Sequence, residues 1–289
     1  MLARWVWMQA LGLGTLLMLL MTGAALLSWF VPTDTLAVIV LVLWPFLTIF
    51  AIWQALAIRK REVRIKSHKI TKPIRLVQIS DVHIGSRSKG FLQRIVEQVN
   101  THEPDALLIT GDLLDASSVG VDELSPLKQV CCPAYMVIGN HERYVDLDEA
   151  LSAITLSDVH VVRDTSLSID EIHLIGVDDR DKPDEIRGIL ETMKFASHQF
   201  SILMYHRPDG WSAALDKNID LTLAGHTHAG QMWPFGLLVK RQFPNMAGLF
   251  TENNQHLFVS TGTGTWGPIF RLGTRSELTI IELEPHNDH

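Results

Sequence analysis

Cysteine is almost missing from this sequence. Cys131 and Cys132 are the only two in 289 residues, and they are adjacent. Neighbouring thiols bridge poorly, so a disulfide framework is excluded and a reducing compartment fits. Charge is missing from two long stretches: Trp5 to Val31 and Leu36 to Ile58 hold no Asp, Glu, Lys or Arg. Each exceeds the roughly 20 apolar residues a helix needs to cross a bilayer core. Pro32 to Thr35 are all that separate them, which leaves room only for an antiparallel hairpin. A cleaved signal peptide is the other reading of the first stretch, but the apolar core of such a peptide spans roughly 7–15 residues. No twin arginine precedes the run either. With no charge inside the spans there is no polar path for a transporter. No repeat or low-complexity tract interrupts the rest of the chain.

Positive charge is absent from the hairpin tip, which carries Asp34, whereas Arg59, Lys60, Arg61, Arg64, Lys66, Lys69 and Lys72 follow the second stretch. Basic flanks stay on the cytoplasmic side. The reading is an inner (cell) membrane protein with spans at about 5–31 and 36–58 and everything after residue 59 in the cytoplasm. Residues 59–73 read as a basic juxtamembrane linker that can touch anionic headgroups, which makes membrane lipids a partner. From Pro73 onward the balance reverses, with 17 Lys and Arg against 30 Asp and Glu, a net charge near −13. Such a surface repels a phosphate backbone, and no nucleic-acid partner is expected.

Residues 74–284 alternate short aliphatic runs with segments of helical period, the pattern of one α/β domain. Strands are predicted at 74–80, 106–110, 134–138, 172–177, 200–205, 221–223, 257–260 and 278–283. Helices near 89–101, from Asp146 and from Pro183 carry apolar stripes, such as Leu92, Ile95, Val96 and Val99, that read as core. Residues 285–289 read as a loose tail, with His286 and His289 in solvent.

Five of these strands run into a metal-ligand residue type: Asp81 and His83, Asp112, Asn140, His206, and His226 with His228. In open α/β sheets ligands gather at the carboxyl ends of strands. The period of two in Asp81-x-His83 and His226-x-His228 puts each pair on one face of an extended segment. A lone histidine pair is commonly a hydrogen-bonded core feature, but this larger mixed nitrogen and oxygen set suits Mn, Fe, Zn or Co. His160, His173, His198 and His256 have no such partner at short spacing and are assigned no chemistry.

The blocks DVHIG, GDLLD, GNHE, the single His206 and GHTHAGQ, in that order from Asp81 to Gln231, resemble the calcineurin-like metallophosphoesterases. The tail around Gly262, Gly264, Trp266 and Arg271 is similar to the membrane-associated, bacterial-type branch of that superfamily. The resemblance covers roughly residues 74–284; Ala229 departs from it, standing where many relatives have glycine. It implies an α/β fold of the calcineurin-like αββα sandwich type, with a dinuclear metal site at strand C-terminal ends and the transmembrane hairpin preceding it. It also implies that Asp81, His83, Asp112 and His228 hold one divalent metal ion and that Asp112, Asn140, His206 and His226 hold a second. Two cations about 3.5–4 Å apart need a shared anionic ligand, here Asp112, and a hydroxide between them is the implied nucleophile. In the family the residue matching His141 contacts the phosphate or leaving group, which makes His141 the candidate catalytic residue. Glu142 reads as a supporting or solvent residue. Arg143, like Arg87 and Arg207, is a candidate for holding a substrate phosphate.

The expected function is a membrane-anchored, metal-dependent phosphoesterase acting on a phosphodiester, phosphomonoester or pyrophosphate bond, with the membrane pointing to a lipid-linked substrate. A pyrophosphohydrolase of the UDP-2,3-diacylglucosamine type, from lipid A synthesis, is one alternative. A non-catalytic membrane scaffold with the same fold is another, although such a protein normally lacks a metal ligand and none is missing here. Met232 to Phe250 stays open between a buried strand pair and an apolar lip at the bilayer surface, with Lys240 and Arg241 at headgroup level.

Overall fold

The computed structural model describes residues 2–195 and 198–286. Two helices open it, α1 (Leu2–Leu27) and α2 (Thr33–Leu56), both long and apolar enough to cross a membrane. The turn between them is residues 28–32 rather than 32–35. Pro32 caps α2 with φ −54°, which puts Asp34 in the first helical turn, where the helix dipole favours negative charge. The second helix stops at Leu56 because Ala57 is extended. Most of the hairpin is uncovered, with Trp7, Leu26 and Leu41 70%, 71% and 72% exposed.

The basic stretch after the hairpin is not simply a linker. Arg59–Ser67 forms strand β1, which pairs in parallel with the last strand, β12 (Glu277–Pro285). Val63 and Ile65 point into the core while Arg59, Lys60, Arg64 and Lys66 stay in solvent. Dense charge hides this alternation in the sequence, and it also protects the strand's outer edge from further pairing.

The same sheet contains β2 (Ile74–Ile79), β3 (Ala106–Thr110), β4 (Ala134–Val137) and β5 (Val159–Val161), in the order β1-β12-β2-β3-β4-β5. A second sheet contains β6 (Thr165–Ile169), β7 (Ile172–Gly176), β8 (Phe200–Met204), β9 (Leu221–Ala224), β10 (Gly248–Glu252) and β11 (Gln255–Val259), in the order β10-β11-β9-β8-β7-β6. Helices α3 (Lys89–Asn100), the short α4 (Val121–Leu124) and α5 (Leu147–Thr155) cover the first sheet. Helices α6 (Pro183–Thr192) and α7 (Trp211–Asp216) cover the second, and α8 (Gly236–Gln242) follows the last ligand block.

Alternation within strands builds the layers. Leu76 and Leu108 meet Leu174, Ile202 and Phe258 between the sheets. Val77, Ile79, Leu107 and Ile109 turn to Leu92, Ile95 and Val96 of α3. On the far side, Ile175 and Leu203 pack on Ile186 and Leu190. Each such side chain contributes about 1.5–3 kcal/mol on burial, so three apolar layers hold the strand ends in a fixed αββα frame. The tail is partly tied down: His286 N donates to Ser67 O at 3.1 Å, and its ring lies 4.3 Å from that of His68. His289 lies outside the described residues.

The hairpin is docked against this frame. Gln9 Oε1 accepts from Ile269 N (2.9 Å), Arg271 N donates to Ala51 O (3.0 Å), and Ser276 Oγ donates to Ala55 O (2.9 Å). Gly12 permits the closest approach, since a Cβ there would meet Pro268 Cβ at 2.8 Å.

Candidate metal centre

The seven expected ligands converge where the strands end. Asp81 and His83 follow β2, Asp112 follows β3, Asn140 follows β4, His206 follows β8, and His226 with His228 follows β9. The two i, i+2 pairs do converge, but not as extended chain. Asp81, His83, Asp112, His226 and His228 all have positive φ, between 47° and 70°. For residues other than glycine, sparsely populated backbone geometry costs about 1–3 kcal/mol each and collects at functional sites, where the surrounding structure enforces it.

His228 Nε2 lies 3.1 Å from His83 Nε2 and 3.4 Å from Asp81 Oδ1. His206 Nε2 lies 3.2 Å from Asp112 Oδ2 and 3.2 Å from His226 Nδ1. Two donor groups result, Asp81/His83/His228 and Asp112/His206/His226, and a third, His83/Asp112/His141, joins them. Asn140 Oδ1 is buried without a hydrogen-bond partner. A buried unpartnered carbonyl beside facing imidazole nitrogens and carboxylates is a surplus of lone pairs, which divalent cations satisfy.

Burial pushes His83 and His226 down to about 3, so both rings are neutral and keep a lone pair free for a metal. Burial also opposes charge on His206, but Asp112 outweighs it and draws the His206 pKa up. Burial works against the Asp112 carboxylate as well, yet His206 holds its pKa down. The two shifts favour a charged His206–Asp112 pair at 3.2 Å, and a cation held by Asp112 would displace that proton.

Supporting contacts fix this geometry. Glu142 is fully buried and accepts from the amides of Asp112 (2.9 Å), Leu114 (2.9 Å) and Gly139 (2.8 Å). It braces two ligand turns and is no solvent residue. His206 Nδ1 lies 2.8 Å from Thr110 O; donation there leaves Nε2 for a metal. Arg271, fully buried, donates to the carbonyls of His228, Thr261, Gly262 and Gly264. In the sequence Arg271 stood out only through the resemblance of the tail that holds it with Gly262, Gly264 and Trp266.

Arg143 and Arg207 both turn to Asp179: Arg143 Nη1 donates to its carbonyl (3.0 Å) and Arg207 Nε to its carboxylate (2.6 Å). His141 is half-buried, with its ring 4.7 Å from that of His83 and its backbone N donating to Asp112 Oδ1 at 2.9 Å.

A cavity of about 560 Å³ opens over the ligands. Asp112, Asn140, His226 and His228 line it together with His141 and Tyr144, apolar Phe235, Val239, Phe243 and Trp266, and Thr15 of α1. Of the buried strand pair expected at 232–250 only the start of strand β10 is present, and it is largely uncovered: Gly248 is buried, but Leu249 is 40% exposed. Helix α8 buries no residue, and Trp233, Phe235, Leu237 and Leu238 are 53–68% exposed.

Fold and donor set together define an αββα sandwich with clustered side chains that could hold metal ions. The profile of the calcineurin-like phosphoesterase family matches residues 74–230, and the chain belongs to that family. It is similar to an uncharacterized metallophosphoesterase of Helicobacter pylori strain J99, 34% identical over 237 residues, 78% of this chain and 64% of the relative. It is also similar to a transmembrane protein with metallophosphoesterase domain of Danio rerio, 30% identical over 240 residues, 73% of this chain and 53% of the relative. The chain therefore spans less than two thirds of the length of these relatives. Among solved structures, a protein of Thermus thermophilus aligns with TM-score 0.42 at 12% identity, over 65% of this chain and 89% of that one.

Proposed function

We propose that this phosphoester hydrolase is anchored in a membrane, uses two divalent metal ions, and cleaves a phosphodiester, phosphomonoester or pyrophosphate bond in a lipid-linked substrate. The observation that carries the lipid assignment is the cavity wall. Thr15 of the first apolar helix, with Phe235, Phe243 and Trp266, encloses the same space as Asp112, Asn140, His226 and His228. A phosphate at the ligands with an acyl group along that wall is the substrate this surface fits.

Asp81, His83, Asp112 and His228 would hold one ion and Asp112, Asn140, His206 and His226 the other. When bound, the ions supply Lewis-acid activation of water and neutralise charge on the phosphoryl oxygens. His141, on the cavity wall beside Asp112, stabilises or protonates the leaving oxygen. Glu142 and Arg271 keep the ligand turns rigid, so little reorganisation accompanies the reaction.

The exposed lip supplies a test of the lipid part. Replacing Leu237 and Leu238 together with Ser is expected to slow hydrolysis of lipid-linked phosphoesters by about tenfold or more, the scale of the apolar contact removed. Small soluble phosphoesters should be spared and the melting temperature unchanged. Joint loss of stability and of all activities shows the lip to be core and ends the proposal.

Apolar exposure along α1 and α2 supports membrane anchoring. The basic residues after α2 support a cytoplasmic domain at the inner (cell) membrane. Reporter fusions at the C-terminus are expected to be active only in the cytoplasm; activity on the outer side overturns the orientation.

A further inference from the structure

A second cavity, of about 710 Å³, opens between the end of α2 and the start of α3. Arg87, Arg94 and Ser88 line it, together with apolar Leu56, Phe91 and Ile269. Arg87 is only 4% exposed. Its guanidinium stacks 3.8 Å from the centre of the Phe91 ring, and its Nη1 has a long contact, 3.4 Å, to Thr265 Oγ1. Among the described residues no carboxylate pairs with Arg87 or with Arg94, whose guanidinium also sits over Phe91. Glu123, the acid on this wall, is occupied in accepting from Gly120 N. Burial, then the positive charges of Arg271 and Arg94, lower the Arg87 pKa. A buried cation with cationic neighbours and no counter-ion is costly, and natural interiors rarely leave one so. The N-terminus of α3, capped by Ser88 at Phe91 N, adds partial positive charge to the same space.

We propose that this cavity binds the phosphate headgroup of an anionic membrane phospholipid, with Arg87 and Arg94 on the phosphate and the acyl chains running along Leu56 toward the hairpin. Inorganic phosphate offers the same kind of anionic oxygens. The apolar wall of Leu56, Phe91 and Ile269, continuous with the last turn of α2, favours the lipid as its source. The assignment rests on the hairpin's membrane placement and is independent of chemistry at the metal ligands.

The test uses the full-length protein in detergent, with dihexanoyl phosphatidylglycerol, dihexanoyl phosphatidylcholine and inorganic phosphate as probes, and counts bound molecules per chain by native mass spectrometry. Wild type and Asp112→Asn are both expected to bind the glycerol lipid in preference to the choline lipid. Arg87→Met should weaken binding by about a hundredfold, as expected for a buried charge contact. Arg94→Ala, on an exposed side chain that folding does not need, should weaken it by about fivefold and keep normal turnover of a small phosphoester. Undiminished binding in both arginine variants, or equal binding of the choline lipid, overturns the proposal. Displacement of the lipid by an equal concentration of inorganic phosphate shows a free-phosphate site and overturns the lipid assignment. Binding lost in Asp112→Asn but kept in both arginine variants places the lipid at the metal centre instead, which removes this site and leaves the proposed function standing.

Discussion

Asp112→Asn is expected to reduce turnover by about four orders of magnitude, the scale seen when one member of a catalytic unit is removed, and to lower metal content below two ions per chain. Asp112 is the residue that belongs both to the group with His206 and His226 and to the group joining His83 and His141. Its Oδ2 lies 3.2 Å from His206 Nε2, while Oδ1 receives the His141 amide. Asparagine keeps the shape but removes the negative charge that two neighbouring cations would share under the proposed assignment. Misfolding is a poor explanation for such a loss, because Asp112 has φ 53° and asparagine is among the residues that tolerate that region best. Metal analysis and turnover should be measured on the same preparation. Two ions per chain with near-normal turnover would show that the two-metal assignment is wrong.

His141→Ala is expected to cost about two to four orders of magnitude in turnover while metal content survives. The contact from His141 to Asp112 is made by backbone N, so the alanine variant retains it. What disappears is the imidazole on the cavity wall. If that ring protonates the leaving oxygen, esters with very acidic leaving groups need it least and should suffer least. Equal losses across a leaving-group series exclude proton donation and leave only stabilisation of charge.

The convergence of the candidate ligands was legible because metal chemistry restricts residue identity: few residue types other than Asp, His or Asn could do what is proposed for Asp81, His228 and Asn140, and each stands where a strand stops. The sandwich was legible for the related reason that β3, β8 and β9 are buried along their whole length and read as largely apolar runs, and β2 departs from this only at exposed Arg75 and buried Gln78. Strand β1 was not, because two inward residues, Val63 and Ile65, stand among charges that also suit a linker. Glu142 looked like an ordinary polar neighbour, since nothing in a linear pattern shows a carboxylate collecting three amides from two turns. Arg271 is similar: its four carbonyl acceptors come from segments that only the finished fold brings together. The left-handed kinks at Asp81 and His83 likewise replace the extended geometry that their spacing suggests.

Strands β1 and β2 are consecutive in the chain but not neighbours in the sheet, for β12 lies between them. During synthesis the two flank an open slot until residues 277–285 have left the ribosome. The strand that fills the slot also secures the loop before it: Glu277 N donates to Gly262 O, and Thr263 Oγ1 donates to Glu277 O. Closing contacts so distant along the chain is slow relative to local structure. Every candidate ligand, His228 included, is therefore translated before the segment that seats the centre, while the apolar hairpin is made earlier. A nascent chain that stalls short of Glu277 carries all seven candidate ligands on an unfinished frame, so metal loading at the proposed centre would belong to the last stage of this protein's maturation.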